Sequence, residues 1–216
     1  MQAATGRAPD VKAVGADDEG ERAAAEVLEG GGVVVIPTDT VYGLAARPRD
    51  ADAVHAVFRA KGRPEGMHLP VLAASLEQVR ALGVAFTPAA GVLAQWWWPG
   101  PLTLAFCFDA GVGRPEWLAG RDEVAVRIPD HDFLRSLLAR TGVLVVTSAN
   151  PHGAPTPRTA HDVAASLGPS VDLVVDGGPL RDVPSTLVNV CGTAAEVERE
   201  GAITRAEVAD ALREVQ

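Results

Sequence analysis

The sequence predicts a single-domain α/β fold in which helices flank a twisted, mixed β-sheet. Short all-apolar runs at residues 33–36 and 143–147 indicate strands buried on both faces. Helical patterns with capping residues are interspersed with strands along the whole length, without strict βαβ repetition in the middle. The chain has 216 residues, 47% hydrophobic and 22% charged, which is a globular composition with enough length for a sizeable core.

In the first half of the chain, we expect a flexible arm over residues 1–16 and a folded domain over residues 17–216. The further elements predicted there are a helix over 17–28 ended by Gly30, a strand over 33–36, a helix over 50–61, a strand over 69–74, a helix opened by Ser75, and a helix opened by Thr87 that runs toward Trp96, Trp97 and Trp98.

The second half alternates in the same way. The elements predicted there are strands over 102–108 and 123–127, a helix capped by Asp130 that ends near Arg140, a strand over 143–147, a helix over 159–167, strands near 173–175 and 186–190, and a final helix opened by a capping box at Thr204 and Glu207. The Gly- and Pro-rich stretches between these elements are predicted loops, where function is usually located.

Composition excludes several classes of protein. The formal net charge is −9, which argues against broad, non-specific binding to nucleic acid or to anionic membranes. No apolar run reaches membrane-spanning length, and the first residues lack the apolar core of a secretory signal. Cys107 and Cys191 lie in apolar runs, so we expect buried, reduced thiols and a reducing, cytoplasmic setting.

Common catalytic motifs are absent from the sequence. There is no P-loop, no C-x-x-C and no H-E-x-x-H, and Gly30–Gly32 precede a strand rather than follow one. Ser148 does not lie in a G-x-S-x-G turn, so a hydrolase triad is not supported. The five histidines show no ligand spacing, so we expect no metal site built by the protein.

Several polar motifs lie where strands or helices end. Residues 37–44 (PTDTVYGL) follow a buried strand, where either a ligand site or a turn capped by its hydroxyls would fit. Lys61 and Arg63 end a helix, and they suit either a phosphate or the helix dipole. Arg127 ends the strand in VAVRIP and could clamp a carboxylate or pair with a surface acid. TSAN, at 147–150, leaves backbone N–H groups accessible to an anion.

Taken together, these motifs resemble one family. PTDTVYGL, KGRP, WPGPLT, VAVRIP, TSAN and STLV occur in the order and spacing of the YrdC-like L-threonylcarbamoyladenylate synthases, and the resemblance covers about residues 20–210. It implies a twisted α/β fold with a large, concave, positively lined cleft. Longer members of the family carry an additional C-terminal domain, so this chain resembles the short, single-domain type.

The resemblance also implies a reaction. L-Threonine, bicarbonate or CO2, and ATP would give L-threonylcarbamoyl-AMP and pyrophosphate, which is a nucleotidyltransferase step. A separate transferase would then pass the threonylcarbamoyl group to adenosine 37 of tRNA. ATP is a substrate in this scheme, and Mg²⁺ would be carried by its phosphates rather than by a protein cage. The expected location is the cytoplasm.

The resemblance implies a set of site residues. Lys61 and Arg63 would be catalytic, while Thr38 and Tyr42 would shape the floor of the threonine site. The implied ATP-binding residues are Lys61, Arg63, Ser148, Asn150, Thr156 and Arg199, and the implied L-threonine-binding residues are Thr38, Thr40, Tyr42, Arg127 and Ser185.

The chain departs from the family pattern after KGRP. Many members have N-P-L-x-x-H there, whereas this chain has Met67 and Leu72 at the Asn and His positions. Any side-chain contact made by those two residues in other members is therefore lost. Glu198 and Glu200 flank Arg199 and could neutralise it.

Two other functions remain as alternatives. A tRNA- or rRNA-binding factor could use the same cleft without threonine-dependent ATP chemistry, although it would need a broad basic stripe. A related carbamoyl-adenylate-forming enzyme could act on another acceptor, in which case the residues around Thr40, Arg127 and Ser185 would differ in role. We expect only weak or transient contact with tRNA.

Overall fold

The computed structural model describes residues 11–64, 69–181, 183–192 and 194–213. The strands are β1 (Ala13–Gly15), β2 (Val34–Ile36), β3 (Gly43–Ala46), β4 (Val71–Leu72), β5 (Leu102–Cys107), β6 (Glu123–Arg127), β7 (Leu144–Ser148), β8 (Leu173–Asp176), β9 (Thr186–Asn189) and β10 (Glu196–Arg199). The helices are α1 (Asp18–Glu29), α2 (Ala51–Lys61), α3 (Leu76–Arg80), α4 (Pro88–Trp97), α5 (Asp132–Thr141), α6 (Ala160–Leu167) and α7 (Arg205–Arg213), with short 3-10 turns at Glu116–Leu118 and Gly168–Ser170.

The strands form one mixed sheet in the order β1-β8-β2-β3-β7-β4-β6-β5-β9-β10. The sheet contains both parallel pairs, such as β5 with β9, and antiparallel pairs, such as β3 with β7. This confirms the predicted single-domain α/β fold with a mixed sheet. Three strands were not predicted: β3, which was assigned to a loop, and the two edge strands β1 and β10.

The first strand corrects the prediction of a flexible arm over residues 1–16. Ala13–Gly15 pair in parallel with Val174–Asp176 of β8, so this part of the arm belongs to the sheet. Residues 1–10 lie outside the described residues. The short pattern Ala-Val-Gly carries little strand signal by itself, and it becomes a strand because β8 offers an unpaired edge.

The helices cover both faces of the sheet and form two apolar clusters. Val145 of β7 belongs to the larger cluster, and its neighbour Val146 belongs to the smaller one. Successive residues of a strand point to opposite faces, so a single strand contributes to both clusters. On the smaller cluster's face, α1 and α5 cover β2, β7 and β8 with side chains such as Leu28 and Leu134.

The helix starts follow the capping residues in the sequence. The side chains of Asp17, Ser75, Thr87 and Thr159 each accept a hydrogen bond from a backbone N–H in the first turn of the helix that follows. The capping box at Thr204 and Glu207 also forms. The helix starts predicted at Ser75, Thr87 and Thr204 are confirmed, whereas the caps at Asp17 and Thr159 were not predicted.

One predicted cap is wrong. The residue at the start of α5 is His131 rather than Asp130, and its Nδ1 accepts a hydrogen bond from the Leu134 N–H at 3.4 Å. Because Asp130 is exposed and lies one position too early, its carboxylate is not the group that caps the first turn.

The structure also corrects the expectation of two reduced thiols. Cys107 and Cys191 form a disulfide, with a Cα–Cα distance of 4.9 Å. Cys107 ends β5, and Cys191 follows β9, the parallel neighbour of β5. Adjacent strands lie about 4.8 Å apart, which brings the two cysteines within bonding distance despite a separation of 84 residues.

The three consecutive tryptophans at the end of α4 differ in exposure. Trp96 is 54% exposed, whereas Trp97 and Trp98 are partly buried against the larger cluster. The Trp98 indole N–H donates to the Leu102 carbonyl at 2.7 Å. Among the described residues, no helix is long and apolar enough to cross a membrane.

The disulfide gives the first testable prediction. Closing a loop of this length restricts the unfolded chain, so reduction should lower the free energy of unfolding by about 2–5 kcal/mol. Urea denaturation of the purified protein, with and without dithiothreitol, measures the change. The double variant Cys107→Ala/Cys191→Ala serves as the control, because its stability should not respond to dithiothreitol. Two titratable thiols in the unreduced protein would contradict the disulfide.

Candidate active site

A cleft of about 600 Å3 lies over the part of the sheet that α1 and α5 leave open. Side chains from β5, β6, β7 and β9 line it, including Thr103, Ala125, Val146 and Leu187. Eight of the residues implied by the family resemblance line this one cleft: Thr38, Thr40, Arg63, Arg127, Ser148, Thr156, Ser185 and Arg199. Segments far apart in sequence therefore meet at one place.

The turn after β2 is organised by Thr38. Its Oγ1 accepts hydrogen bonds from the N–H groups of Thr40 and Val41, at 3.0 and 3.1 Å, and donates to the Val41 carbonyl at 2.8 Å. These local bonds are those of a hydroxyl-capped turn. Thr38 thus shapes the turn that presents Thr40, which confirms the predicted hydroxyl-capped turn, while a ligand-binding role for this motif stays a prediction.

Arg127 is a buried cation of the cleft whose guanidinium bonds three other residues. It is 5% exposed, and its Nε donates to the Gly100 carbonyl at 3.0 Å. Its Nη1 donates to Thr40 Oγ1 at 2.8 Å, and its Nη2 pairs with the Asp39 carboxylate. Burial lowers the pKa of Arg127, and Asp39 opposes that shift. The guanidinium thereby ties the end of β6 to two separate loops.

Ser185 and Arg199 lie at the far side of the cleft. Ser185 Oγ is 2.8 Å from Thr103 Oγ1, and Arg199 Nη2 donates to the Ser185 carbonyl at 3.0 Å. Arg199 ends β10, the edge strand that pairs with β9. Glu198 bonds Asn189 and Glu200 accepts from the Arg205 N–H, so neither flanking carboxylate pairs with Arg199.

Lys61 lies behind the cleft and supports the loop that follows β7. Its Nζ donates to the Ser148 carbonyl, to the Asn150 carbonyl at 2.8 Å and to Asn150 Oδ1 at 3.2 Å. Lys61 is 5% exposed. Burial, together with the nearby Arg63 charge, lowers its pKa from 10.5 to about 8. The ammonium group holds the TSAN loop from beneath.

The end of α2 directs Arg63 to the other side of that loop. Gly62 adopts the left-handed conformation, with φ of 59°, and the Arg63 N–H donates to the Phe58 carbonyl at 3.0 Å. This is the usual glycine-terminated helix end. Arg63 Nη1 lies 3.5 Å from Thr147 Oγ1, and its guanidinium lines the cleft.

Besides Lys61, two further residues implied by the resemblance do not line the cleft. Tyr42 is fully buried, and its hydroxyl donates to the Gly178 carbonyl at 2.7 Å and accepts from the Gly177 N–H at 3.1 Å. Tyr42 is therefore not part of the cleft lining, and its role at the threonine site stays a prediction. Asn150 accepts from Lys61 and donates to the Ala154 carbonyl at 2.7 Å, so its amide is engaged within its own loop.

The segment that departs from the family pattern is only partly described. Met67 and His68 lie outside the described residues. Leu72 is buried in β4 and lines the cleft with an apolar side chain. An imidazole contact from that position is therefore absent in this chain.

Sequence reasoning missed four polar residues of the site. Thr103 and Thr147 were present in quoted motifs without an assigned role, and Asp39 was treated only as part of a turn. Glu123 also lines the cleft and accepts from Asn189 Nδ2 at 3.1 Å. For Thr103, the alternation of side chains along β5 was the available signal. For Asp39, no local pattern indicates that Arg127 is its partner.

Among the described residues, the charges that line the cleft are three guanidinium groups, on Arg63, Arg127 and Arg199, and one carboxylate, on Glu123. Such a set suits an anionic ligand. In the described part of the chain, no group of three or more His, Cys, Asp or Glu side chains is placed to hold a metal ion.

This fold and cleft define a known class of protein. Residues 26–201 match the Sua5/YciO/YrdC family, whose description is "Telomere recombination". The chain belongs to this family.

Two members of the family that are similar to this chain carry the same enzyme name. The chain is 36% identical over 197 residues to a threonylcarbamoyl-AMP synthase of Pyrococcus abyssi, covering 90% of this chain and 58% of the relative. It is 36% identical over 187 residues to the Bacillus subtilis enzyme of the same name, covering 86% of this chain and 54% of the relative. The chain therefore spans a little over half the length of these relatives.

The fold of the chain is also similar to that of a solved structure. The crystal structure of P. abyssi Sua5 complexed with L-threonine superposes with a TM-score of 0.83 at 33% identity. The match covers 93% of this chain and 59% of the P. abyssi chain.

The Arg127–Asp39 pair predicts a large stability effect. In Asp39→Asn, Arg127 would remain buried without a countercharge, so the free energy of unfolding should fall by about 3–5 kcal/mol. The matched control is Asp132→Asn, which breaks the exposed pair with Arg135 and should cost less than about 1 kcal/mol. Urea denaturation of both variants measures the difference. Equal effects would show that the buried pair is not coupled as described.

The lowered pKa of Lys61 predicts a pH dependence of stability. Between about pH 8 and the unfolded value of 10.5, the unfolded chain binds a proton at Lys61 that the folded chain does not. The free energy of unfolding should therefore rise with pH in this window. Thermal melting from pH 7.5 to 9.5 should show this rise in the wild type and a smaller one in Lys61→Met. Parallel profiles for the two proteins would contradict the shift.

Proposed function

We propose that the chain is an L-threonylcarbamoyl-AMP synthase, which makes L-threonylcarbamoyl-AMP and pyrophosphate from L-threonine, bicarbonate or CO2, and ATP. The observation that carries the proposal is the convergence of Arg63, Arg127 and Arg199 with seven hydroxyl side chains in one cleft. The names of the relatives and the threonine complex of P. abyssi Sua5 support the same reaction.

The threonine end of the cleft would be the region of Arg127, Thr40 and Ser185. Arg127 makes one bond each to Gly100, Thr40 and Asp39 through Nε, Nη1 and Nη2, and a guanidinium carries five N–H donors. Two N–H groups are left to clamp a ligand carboxylate. Thr38 would act by shaping the turn, and the buried Tyr42 by supporting it from the far side.

The ATP end would be the region of Arg63, Ser148, Thr156 and Arg199. Arg63 would bind two phosphate oxygens through paired N–H donors, and the backbone N–H groups of the TSAN loop would donate to the phosphates. Lys61 and Asn150 would act mainly by holding that loop, with the Lys61 charge beneath the phosphates. In this scheme Lys61 is a positioning residue and Arg63 a catalytic one, since Arg63 would touch the ligand.

The chemistry needs charge neutralisation rather than a protein nucleophile. The threonine amine attacks CO2 and loses a proton to give a carbamate, and a carbamate oxygen attacks the α-phosphorus of ATP. The bond to the pyrophosphate group breaks, and pyrophosphate leaves with its electron pair. An anion thus approaches a polyanion, and fixed guanidinium groups lower the barrier by stabilising that charge.

Mg²⁺ would be carried by the ATP phosphates. Glu123 is the only carboxylate among the described residues that line the cleft, and it already accepts from Asn189. This donor set fits a metal that takes its ligands from substrate and water. The ion would offset phosphate charge, while the residues above orient the two substrates.

The product would serve tRNA modification. We propose that a separate transferase consumes threonylcarbamoyl-AMP to modify adenosine 37 of tRNA, and that the protein works in the cytoplasm, where these substrates meet. A disulfide is unusual in a reducing compartment, and the thiol titration described above bears on this point.

The RNA-binding alternative is not favoured. A chain of net charge −9 whose cleft also carries Glu123 has little basic surface for a nucleic-acid backbone. The transferase that uses the product would make the main contact with tRNA.

Pyrophosphate release tests the proposal directly. We expect release from ATP only when both L-threonine and bicarbonate are present, because the carbamate is the attacking group. L-Serine should react more slowly, by an amount equivalent to about 1–3 kcal/mol for the missing methyl group. Release that ignores the amino acid, or tight tRNA binding without turnover, would overturn the assignment.

A matched pair of variants links that activity to the cleft. Arg63→Ala should weaken ATP binding by about 1.5–3 kcal/mol, because charge-assisted hydrogen bonds are lost. Arg59→Ala removes an exposed arginine from the last turn of the same helix and should leave ATP binding unchanged. Isothermal titration with ATP compares the two. Equal ATP affinities would remove Arg63 from the site.

A further inference from the structure

A second and larger cavity, of about 990 Å3, lies on the opposite face of the sheet from the cleft. Val145 of β7 lines this cavity, whereas Val146 lines the cleft. Because neighbouring residues of a strand point to opposite faces, the sheet itself separates the two spaces. No ligand in the cleft could extend through the sheet into this cavity.

In the described part of the chain, three arginines, Arg47, Arg49 and Arg121, and one carboxylate, that of Glu116, line the cavity. Arg47 lies 3.7 Å from Asp50, while Arg49 is exposed. Guanidinium groups bind oxyanions through paired N–H donors, and phosphate matches their geometry. The N-terminus of α2 begins at Ala51 on the same wall, which adds a favourable dipole for an anion.

Arg121 is incompletely satisfied. Its Nη1 is buried and makes no hydrogen bond among the described residues, and no described carboxylate forms an ion pair with it. Burial lowers the pKa of this arginine. A buried donor without an acceptor costs free energy in the unliganded protein, and an anionic ligand would remove that cost.

An aromatic ring lies beside this cation. The Arg121 guanidinium lies over the Trp117 ring, 5.9 Å from its centroid, and Trp117 also lines the cavity. A half-buried indole offers a planar apolar surface on which a base can stack. The cavity is also much larger than a single phosphate ion requires, so its shape and chemistry suit a ligand with both a ring and a phosphate.

We propose that this cavity binds a nucleoside phosphate, with the phosphate held by Arg121 and Arg49 and the base against Trp117. The site is separate from the cleft and does not depend on the function proposed for it. A ligand there would contact the start of α2, whose other end carries Lys61 and Arg63.

The test uses AMP as the probe and isothermal titration as the measurement. To weaken AMP binding in the cleft, all proteins carry Arg63→Ala. We expect AMP binding to persist in this background and to weaken at least about tenfold when Arg121→Gln is added, since a charge-assisted bond is lost. Arg205→Gln, on the exposed surface of α7, is the matched control and should not change binding.

Further variants keep the test decisive. If Arg121→Gln does not fold, Arg49→Gln replaces it, because Arg49 is exposed and should not affect the core. The contact between the base and Trp117 is tested by comparing AMP with inorganic pyrophosphate, which lacks a base. AMP should bind more tightly than pyrophosphate when Trp117 is present, and this difference should disappear in Trp117→Leu. Absence of AMP binding in the Arg63→Ala background, or binding unaffected by both arginine changes, would overturn the proposal. Equal affinity for pyrophosphate and AMP would overturn its nucleoside part.

Discussion

The buried guanidinium of Arg127 is the interaction on which the cleft depends. It joins the end of β6 to the turn after β2, through Thr40 and Asp39, and to the loop before β5, through the Gly100 carbonyl. Two charges taken out of water are tolerated only when they are paired and hydrogen-bonded. The same pairing fixes the direction of the guanidinium, so the group is oriented before any ligand arrives.

Lys61 is a second buried cation, and its hydrogen bonds also fix the position of a loop beside the cleft. Its ammonium group is surrounded by carbonyl and amide oxygens of the TSAN loop rather than by a carboxylate. This arrangement leaves its positive charge uncompensated beneath the proposed phosphate site, and burial with the neighbouring Arg63 lowers its pKa. A cation that is held by neutral acceptors fixes the shape of the loop and keeps its positive charge available to attract an anionic ligand. If a carboxylate held the cation instead, the carboxylate would neutralise that charge.

The parts of the site that sequence could predict are those with a local signal. Arg63 follows a helix that ends in glycine, and Ser148 lies at the end of an apolar strand, so their placement follows from periodicity and turn chemistry. The resemblance assigned Tyr42 to the floor of the threonine site, whereas the structure buries it outside the lining of the cleft. Its hydroxyl bonds the loop after β8, more than 130 residues away, and no local pattern encodes that distance.

The sequence by itself determined the fold class, most helix starts and the motifs that meet in the cleft, because caps, turns and apolar periodicity act over a few residues. Only the tertiary structure decided which partners these residues have. The order of the strands brings Asp39 to Arg127 and Cys107 to Cys191, and it places Arg121 in a cavity behind the sheet. These pairings depend on neighbouring strands that are distant in sequence, so their energies are set by packing and burial rather than by local preference.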